Sequence, residues 1–383
     1  MTLLPPLRLT GAEILRDGEM QRRSLAVESG RIVRGPLPPV DLSGYLILPG
    51  IVDLHGQAFE RHIAPCPGTL MPVGAALRAT AREAAAHGVT TAYIAQRWGW
   101  EGGSASPDFA ETVLQCVSDV AAAALIDIRA QLRLDTHTVD SQHRLLHAIR
   151  RHGIDLVLFH DTLGASGHWP EDPVLRARTL GISPAAFEAA MTTAKSQSRQ
   201  VPRHMCQLAE AFDTLGVTYG SHGDMDGETR DRYRLLGAHV AECPADPRAA
   251  AVAHATDGPV ILSAPALMQD DARQWSMLRR GLCDILVSDC HYPSLAHAAW
   301  ALVDSGQMDL PRAWNMISGA PAHLMGMHDR GRLDHRARAD LVVMNATTRE
   351  IELTVSAGRL AYLSGEAGAR LMASLSEARI AAE

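Results

Sequence analysis

The chain has 383 residues, of which 46% are hydrophobic and 21% are charged. This composition is ordinary for a globular protein and excludes the disordered and fibrous classes. The formal net charge of −7 gives no basic surface for nucleic acid or an anionic membrane, and no apolar segment approaches the roughly 20 residues of a membrane-spanning helix. We therefore expect a small-molecule substrate, with no nucleic-acid or membrane partner.

Cellular location is indicated by the first residues and by the cysteines. The segment MTLLPPLRLTGAEIL lacks the basic segment, the long apolar segment and the cleavage site of a secretory signal. The six cysteines include no Cys-x-x-Cys pair, which favours reduced thiols over disulfides or a cysteine-zinc site. A cytoplasmic location is predicted.

The two ends of the chain share a β-rich pattern. Short apolar segments separated by Gly, Asp and Pro predict strands in the first fifty residues, and ADLVVMN and IELTVSAGRLAYLSG repeat this pattern near the other end. Because chain termini often lie close together, we predict one small β-domain from residues 1–47 plus 336–383.

Residues 48–335 alternate strand-like and helix-like segments, as βα units do. The eight predicted strands are 48–55, 89–96, 126–135, 154–161, 217–222, 238–243, 259–265 and 283–289. Strands that are almost wholly apolar are buried on both faces, which favours a (β/α)8 barrel of the TIM type. An open doubly wound sheet is the alternative, but no glycine-rich phosphate fingerprint follows the first strand.

Six of the eight predicted strands end in histidine or carboxylate residues. These ends are Asp53-Leu54-His55-Gly56-Gln57, Asp135-Thr136-His137, His160-Asp161, His222-Gly223-Asp224, Glu242 and Asp289-Cys290-His291. Active sites of (β/α)8 enzymes lie at the C-terminal strand ends, and such side chains are ligands for zinc and similar ions. The pattern predicts a metal-dependent active site at this rim.

The segment LPGIVDLHGQAFERHIAPCPG resembles the first-strand signature of the amidohydrolase superfamily. It resembles more specifically the phosphonate-catabolism branch, the α-D-ribose 1-methylphosphonate 5-triphosphate diphosphatases. The further matching segments, in family order, are GVTTAYIAQRWGWEGG, LRLDTHTVD, DLVLFHD, SHGDMD, LLGAHVAECP and GLCDILVSDCHYPSLAHAAW. The resemblance covers nearly the whole chain and implies a hydrolase with one or two divalent ions, Zn²⁺ being the first choice.

The resemblance also implies roles for individual residues. The implied metal ligands are His55, Gln57, Asp135, His222, Glu242 and Asp289. Asp289 is in addition the implied general base, which takes a proton from the attacking water and delivers it to the leaving group. Side chains predicted to contact the substrate are Arg97, Asp161, Asp224 and His291.

Three features depart from the pattern of the branch. Gln57 stands where the branch has Asp, and a neutral amide weakens one metal position. Thr162 follows Asp161 where the branch has His. After the seventh strand, SAPALMQDDARQWSM replaces a loop rich in Gly, Ser and His, and its two aspartates would repel a polyanion.

Three functions therefore remain open. The first is hydrolysis of a phosphorylated or phosphonate-linked sugar with release of pyrophosphate, and the second is hydrolysis of an amide or N-acyl bond. The third is a barrel that binds a metabolite without turnover. Barrels of this type often form homodimers, but no feature of the sequence decides the oligomeric state.

Overall fold

The structure, a computed structural model, describes residues 3–66, 69–164 and 172–380. Its strands are β1 (Leu7–Thr10), β2 (Glu13–Arg16), β3 (Glu19–Gln21), β4 (Leu25–Glu28), β5 (Arg31–Val33), β6 (Pro39–Asp41), β7 (Tyr45–Pro49), β8 (Ile51–Gly56), β9 (Val89–Trp98), β10 (Asp127–Asp135), β11 (Leu156–His160), β12 (Thr218–His222), β13 (Val240–Glu242), β14 (Val260–Ser263), β15 (Ile285–Val287), β16 (Leu341–Asn345), β17 (Ile351–Ser356) and β18 (Arg359–Leu363).

The α-helices alternate with the strands through the middle of the chain. They are α1 (Phe59–Ile63), α2 (Val73–Ala86), α3 (Pro107–Ala121), α4 (Gln142–His152), α5 (Pro173–Leu180), α6 (Pro184–Ser196), α7 (Val201–Leu215), α8 (Gly227–Leu235), α9 (Pro247–Ala255), α10 (Ala264–Met268), α11 (Ala272–Arg279), α12 (Pro293–Asp304), α13 (Leu310–Asn315), α14 (Gly319–Leu324) and α15 (Gly365–Ile380). In the part of the chain that the structure describes, no helix is long and apolar enough to cross a bilayer.

Within the described residues, β8 to β15 form one eight-stranded sheet in sequential order. The strands from β10 to β14 pair in parallel with their neighbours. A parallel bridge between Gly56 and Asp289 joins the first strand of this sheet to the chain just beyond its last strand. The predicted (β/α)8 barrel is therefore confirmed.

The predicted strands differ from the structure by a few residues at their ends, and two of these differences have a clear physical cause. The segment 48–55 is divided at Gly50, where the chain leaves the sheet that contains β7 and enters the barrel as β8. A Cβ atom at Gly50 would lie 2.4 Å from the Thr90 hydroxyl, so glycine allows this close passage. The segment 259–265 ends as a strand at Ser263, whose hydroxyl caps α10 by accepting from the backbone of Ala266.

The chain divides into two compact units, the first comprising Met1–Tyr93, Val120–Ile128 and Ile285–Glu383. Its described residues include a four-stranded sheet of order β5-β4-β1-β6 and a six-stranded sheet of order β18-β17-β16-β7-β2-β3. Apolar side chains from both chain ends, such as Ile14, Ile47 and Val343, share one buried core. The predicted β-structure from both ends is confirmed, whereas the domain bounds 1–47 plus 336–383 stay a prediction.

The second unit comprises Ile94–Asp119 and Arg129–Asp284. Its strand β11 shows how the alternation of side chains positions a functional group. Phe159 stacks on Tyr233 at 6.1 Å between ring centroids and also contacts the rings of Phe212 and Tyr219. Because successive side chains of a strand point to opposite faces, the next residue, His160, lies on the other face of the sheet.

A buried ion pair joins α8 to the end of β12. Arg230 and Asp224 are 1% and 2% exposed, and their charged groups lie 3.4 Å apart. Arg230 also donates to the hydroxyl of Ser221 and to the carbonyl oxygens of Ala238 and Val240. The carboxylate of Asp224, which the sequence predicts to contact substrate, is thus engaged in holding β12, β13 and α8 together.

We expect Arg230→Met to lower the free energy of unfolding by about 3–5 kcal/mol, because it leaves the buried Asp224 carboxylate without its counter-charge. Chemical denaturation measures the effect. The matched control is Arg234→Met on the same helix, which removes an ion pair with Asp231 that is 36% and 49% exposed and should cost less than about 1 kcal/mol. Equal losses in the two variants would contradict the role given to Arg230.

Candidate active site

The face of β10 that carries Asp135 has polar side chains at every second position, and the three nearest the end of the strand are Gln131, Arg133 and Asp135. Gln131 and Asp135 are buried and Arg133, between them, is half-buried. A strand repeats its side-chain direction every second residue, so these three point to the same face. Neither Gln131 nor Arg133 was singled out from the sequence, although counting back in twos from Asp135 would have found both.

The Asp135 carboxylate is held by donors of its own unit. One oxygen accepts from the backbone N–H of His137 at 2.8 Å. The other accepts from the backbone N–H of Thr162 at 3.3 Å and from the hydroxyl of the same threonine. An ionised carboxylate has about four acceptor positions, so these bonds use three of them and leave little capacity for a metal ion.

Thr162 in turn links this carboxylate to an aromatic cluster. The indole N–H of Trp100 donates to the Thr162 hydroxyl at 3.0 Å, and the Trp100 ring lies 5.6 Å from that of Phe187 in α6. Thr162 therefore orients Asp135 through a hydrogen bond.

His222 and Glu242 form a close pair at the ends of β12 and β13. His222 Nδ1 lies 2.7 Å from Glu242 Oε2, and its Nε2 lies 3.2 Å from Nη1 of Arg133. A guanidinium can only donate, so Nε2 accepts from Arg133 while Nδ1 carries the proton that is donated to Glu242. The tautomer of His222 is thereby assigned from its two partners.

His160, at the end of β11, lies against this pair. Its ring is 4.8 Å from the His222 ring in an edge-to-face arrangement. Burial is the main cause that lowers the pKa of His160 well below its ordinary value, and the nearby charges of His222, Arg133 and Arg97 act in the same direction. His160 is therefore a neutral imidazole at pH 7.

In the first unit, a fully buried carboxylate ties β8 to the segment after β15. Asp53 Oδ1 accepts from the backbone N–H of Ser288 at 2.9 Å, and Oδ2 accepts from the Ser288 hydroxyl at 2.6 Å. Burial raises the pKa of Asp53, and the hydrogen bonds from Ser288 oppose that rise. Both carboxylate oxygens are thus used to hold the two strand ends together.

The hydrogen bonds between Asp53 and Ser288 place His55, Gln57 and Asp289 side by side. The backbone N–H of Asp289 donates to the carbonyl of His55 at 2.9 Å, and its carbonyl accepts from the backbone of Gln57 at 2.5 Å. The Gln57 side-chain nitrogen lies 3.0 Å from His55 Nε2. Asp289 has a φ of +51°, a left-handed conformation that aspartate tolerates better than most residues.

The other residues predicted to contact substrate have defined partners. Arg97 pairs with the buried Glu101, which also pairs with Arg176 of α5. Asp161 accepts from the backbone of Gly164 at 2.8 Å. His291 is exposed, and its Nδ1 lies 2.8 Å from the Ser294 hydroxyl. Their roles towards a substrate stay predictions.

The side chains able to hold a metal ion lie at strand ends in both units. In the second unit, His222 and Glu242 offer an imidazole and a carboxylate that lie close together, and in the first unit His55 offers an imidazole. This donor set suits zinc and similar divalent ions.

Comparison with known proteins agrees with this reading. No protein-family profile matches the chain. The chain is 23% identical over 369 residues to α-D-ribose 1-methylphosphonate 5-triphosphate diphosphatase from Escherichia coli (strain K12). The alignment covers 90% of this chain and 97% of that protein. The predicted resemblance to the α-D-ribose 1-methylphosphonate 5-triphosphate diphosphatases is confirmed.

Solved structures share the fold at lower identity. A D-hydantoinase aligns with a TM-score of 0.65 at 13% identity, covering 95% of this chain and 97% of that chain. A dihydropyrimidinase from Brevibacillus agri NCHU1002 aligns with a TM-score of 0.61 at 14% identity, with the same coverage of 95% and 97%. With these relatives, the prediction of an amidohydrolase-type hydrolase is confirmed, and the bond that it cleaves stays open.

We expect Thr162→Val to lower the free energy of unfolding by about 1–3 kcal/mol, because it removes the hydroxyl that the Trp100 indole and the buried Asp135 carboxylate share. The tryptophan emission should change as well. Thr162→Ser keeps the hydroxyl and is the matched control, with a loss below about 1 kcal/mol. If the valine variant unfolded at the wild-type denaturant concentration, the hydrogen bond would contribute nothing to holding Asp135.

Proposed function

We propose that this chain is a metal-dependent hydrolase that cleaves a phosphoanhydride bond in a phosphorylated or phosphonate-linked sugar and releases pyrophosphate. The observation that carries the proposal is the similarity that extends over 97% of the Escherichia coli diphosphatase. It is supported by the histidine and carboxylate side chains at the strand ends, where (β/α)8 enzymes have their active sites.

In this proposal one divalent ion, with Zn²⁺ as the first choice, is held by His55, His222, Glu242 and Asp289, which are ligands that the family resemblance implies. Such an ion supplies Lewis-acid chemistry, since it lowers the pKa of water and polarises the bond to be cut. Gln57 and Asp135 remain weaker candidates, because Gln57 brings no charge and most of the acceptor capacity of Asp135 is used.

Asp289 is the proposed general base. Backbone hydrogen bonds with His55 and Gln57 fix its position, and its left-handed φ sets the direction of its side chain. Its carboxylate would accept the proton of the attacking water and return it to the leaving oxygen as the bond breaks. Both transfers need only this one side chain.

Hydrolysis of an amide bond is the second candidate, and the segment after β14 favours it. There α10 begins directly at Ala264, and Asp271 caps α11 by accepting from Arg273 and Gln274. This segment is helical where the diphosphatase branch has a loop of small residues whose N–H groups suit a phosphate. Release of amine instead of pyrophosphate would identify this reaction.

The first test is the metal content of the purified protein together with product release. We expect about one equivalent of a divalent ion, its loss in His222→Ala, and release of pyrophosphate from the sugar triphosphate named for the relative. A protein that binds no ion after loading with zinc, manganese or iron would overturn the hydrolase mechanism and favour the binding-only barrel.

A second prediction concerns the base. Asp289→Asn should lower kcat by about 10²–10⁴-fold, because the amide cannot accept the proton. Asp304→Asn, on α12 and 54% exposed, is the matched control and should keep the wild-type kcat. A turnover rate in Asp289→Asn equal to that of the control would show that another group is the base.

A further inference from the structure

Arg133 places a positive charge against a candidate metal ligand. Its Nη1 lies 3.2 Å from His222 Nε2, the nitrogen that a metal ion would need because Nδ1 is engaged with Glu242. The arginine comes from the inward face of β10, between Gln131 and Asp135. It is half-buried, so its charge is only partly screened by water.

The guanidinium of Arg133 and a metal ion cannot both use the lone pair of His222 Nε2. Arginine stays protonated at all accessible pH values, and its N–H groups can only donate. A divalent ion that binds His222 Nε2 must therefore displace the hydrogen bond from Arg133, and it then has a second cation beside it. An arrangement with two metal ions would add a third cation to the same place.

The acidic side chain that would balance a second ion is committed elsewhere. Asp135 points to the same face as Arg133, but its two oxygens accept from His137 and Thr162. Glu242 accepts from His222 and, through Oε1, from Gln131 at 3.3 Å. The surroundings of His222 thus suit one added ion better than two.

We propose that Arg133 is a substrate-binding residue whose guanidinium takes the place of a second metal ion. Without a metal ion, Arg133 donates a hydrogen bond to Nε2 of His222. A single divalent ion would replace this hydrogen bond at Nε2. The guanidinium would then bind an anionic phosphoryl oxygen of the substrate. This inference rests on the proposed function for the metal and deepens it with a substrate class.

The chemistry of arginine supports this assignment. In hydrolases with two metal ions, the second ion neutralises charge on the substrate and orients it. A guanidinium performs the same electrostatic task with a planar pair of donors that matches phosphoryl oxygens. Because its charge is covalently attached to β10, it needs no acidic ligands of its own.

The test compares Arg133→Met with Arg129→Met by titrating Zn²⁺ alone, and then inorganic pyrophosphate, into each protein in a calorimeter. Arg129 is the matched control, since it lies on the same strand and its Nη1 pairs with Asp155 at 2.9 Å. Circular dichroism checks that both variants are folded. The wild type should bind one zinc ion per chain.

In Arg133→Met, zinc should bind about tenfold more tightly, because the competing cation is gone. Pyrophosphate should bind the zinc-loaded variant about 10–100-fold more weakly, because a charge-assisted pair is lost. Arg129→Met should match the wild type in both titrations. Arg133→Lys keeps the charge but loses the planar donors, so its zinc affinity should stay near wild type while its pyrophosphate affinity falls.

The outcomes separate this inference from the proposed function. Two zinc ions per wild-type chain, weaker zinc binding in Arg133→Met, or an unchanged pyrophosphate affinity in that variant would each overturn the role of Arg133. A protein that shows the expected affinity changes but hydrolyses no sugar triphosphate would overturn the proposed reaction while supporting Arg133 as the anion-binding residue.

Discussion

The hydrogen bonds between Asp53 and Ser288 are the interaction on which the first unit's part of the site depends. They join the start of the barrel to its last strand, and the bridge between Gly56 and Asp289 follows directly from them. A carboxylate buried this completely is stable only when its oxygens are satisfied, and Ser288 provides two donors. As a consequence, His55 and Asp289 lie side by side. The same hydrogen bonds therefore join the two strand ends and position the proposed base.

In the second unit, the strand ends are organised by charge rather than by packing. Glu242 fixes the proton on one nitrogen of His222, and Arg133 covers the other. A carboxylate and a guanidinium on opposite sides of a single imidazole keep that ring in one orientation. In the same unit, Asp135 accepts from backbone and hydroxyl donors instead. Asp135 at the end of β10 and Glu242 at the end of β13 therefore have different tasks.

The sequence was sufficient to predict the barrel, because continuous apolar segments are typical of buried parallel strands. His55, His222 and Glu242 became candidate site residues because they lie at the ends of those segments. It could not show the division at Gly50, since one apolar segment crosses from one sheet to another without any change in composition. It also could not show the pairing of Asp224 with Arg230, because that pairing depends on how α8 returns to the sheet. The predicted contact of Asp224 with substrate stays a prediction. The alternation of side chains along β10 is enough to place Arg133 on the same face as Asp135. Its contact with His222 depends on the distance between β10 and β12, which cannot be deduced from the sequence.

The sheet that contains β7 has a consequence for synthesis of the protein. In this sheet β7 lies between β16 and β2, so one edge of β7 is completed by a strand that is made much later in translation. Until β16 leaves the ribosome, the apolar segment Tyr45–Pro49 has an open edge that can pair with another chain. The interval between these two strands is therefore the period in which the nascent chain most needs protection from aggregation.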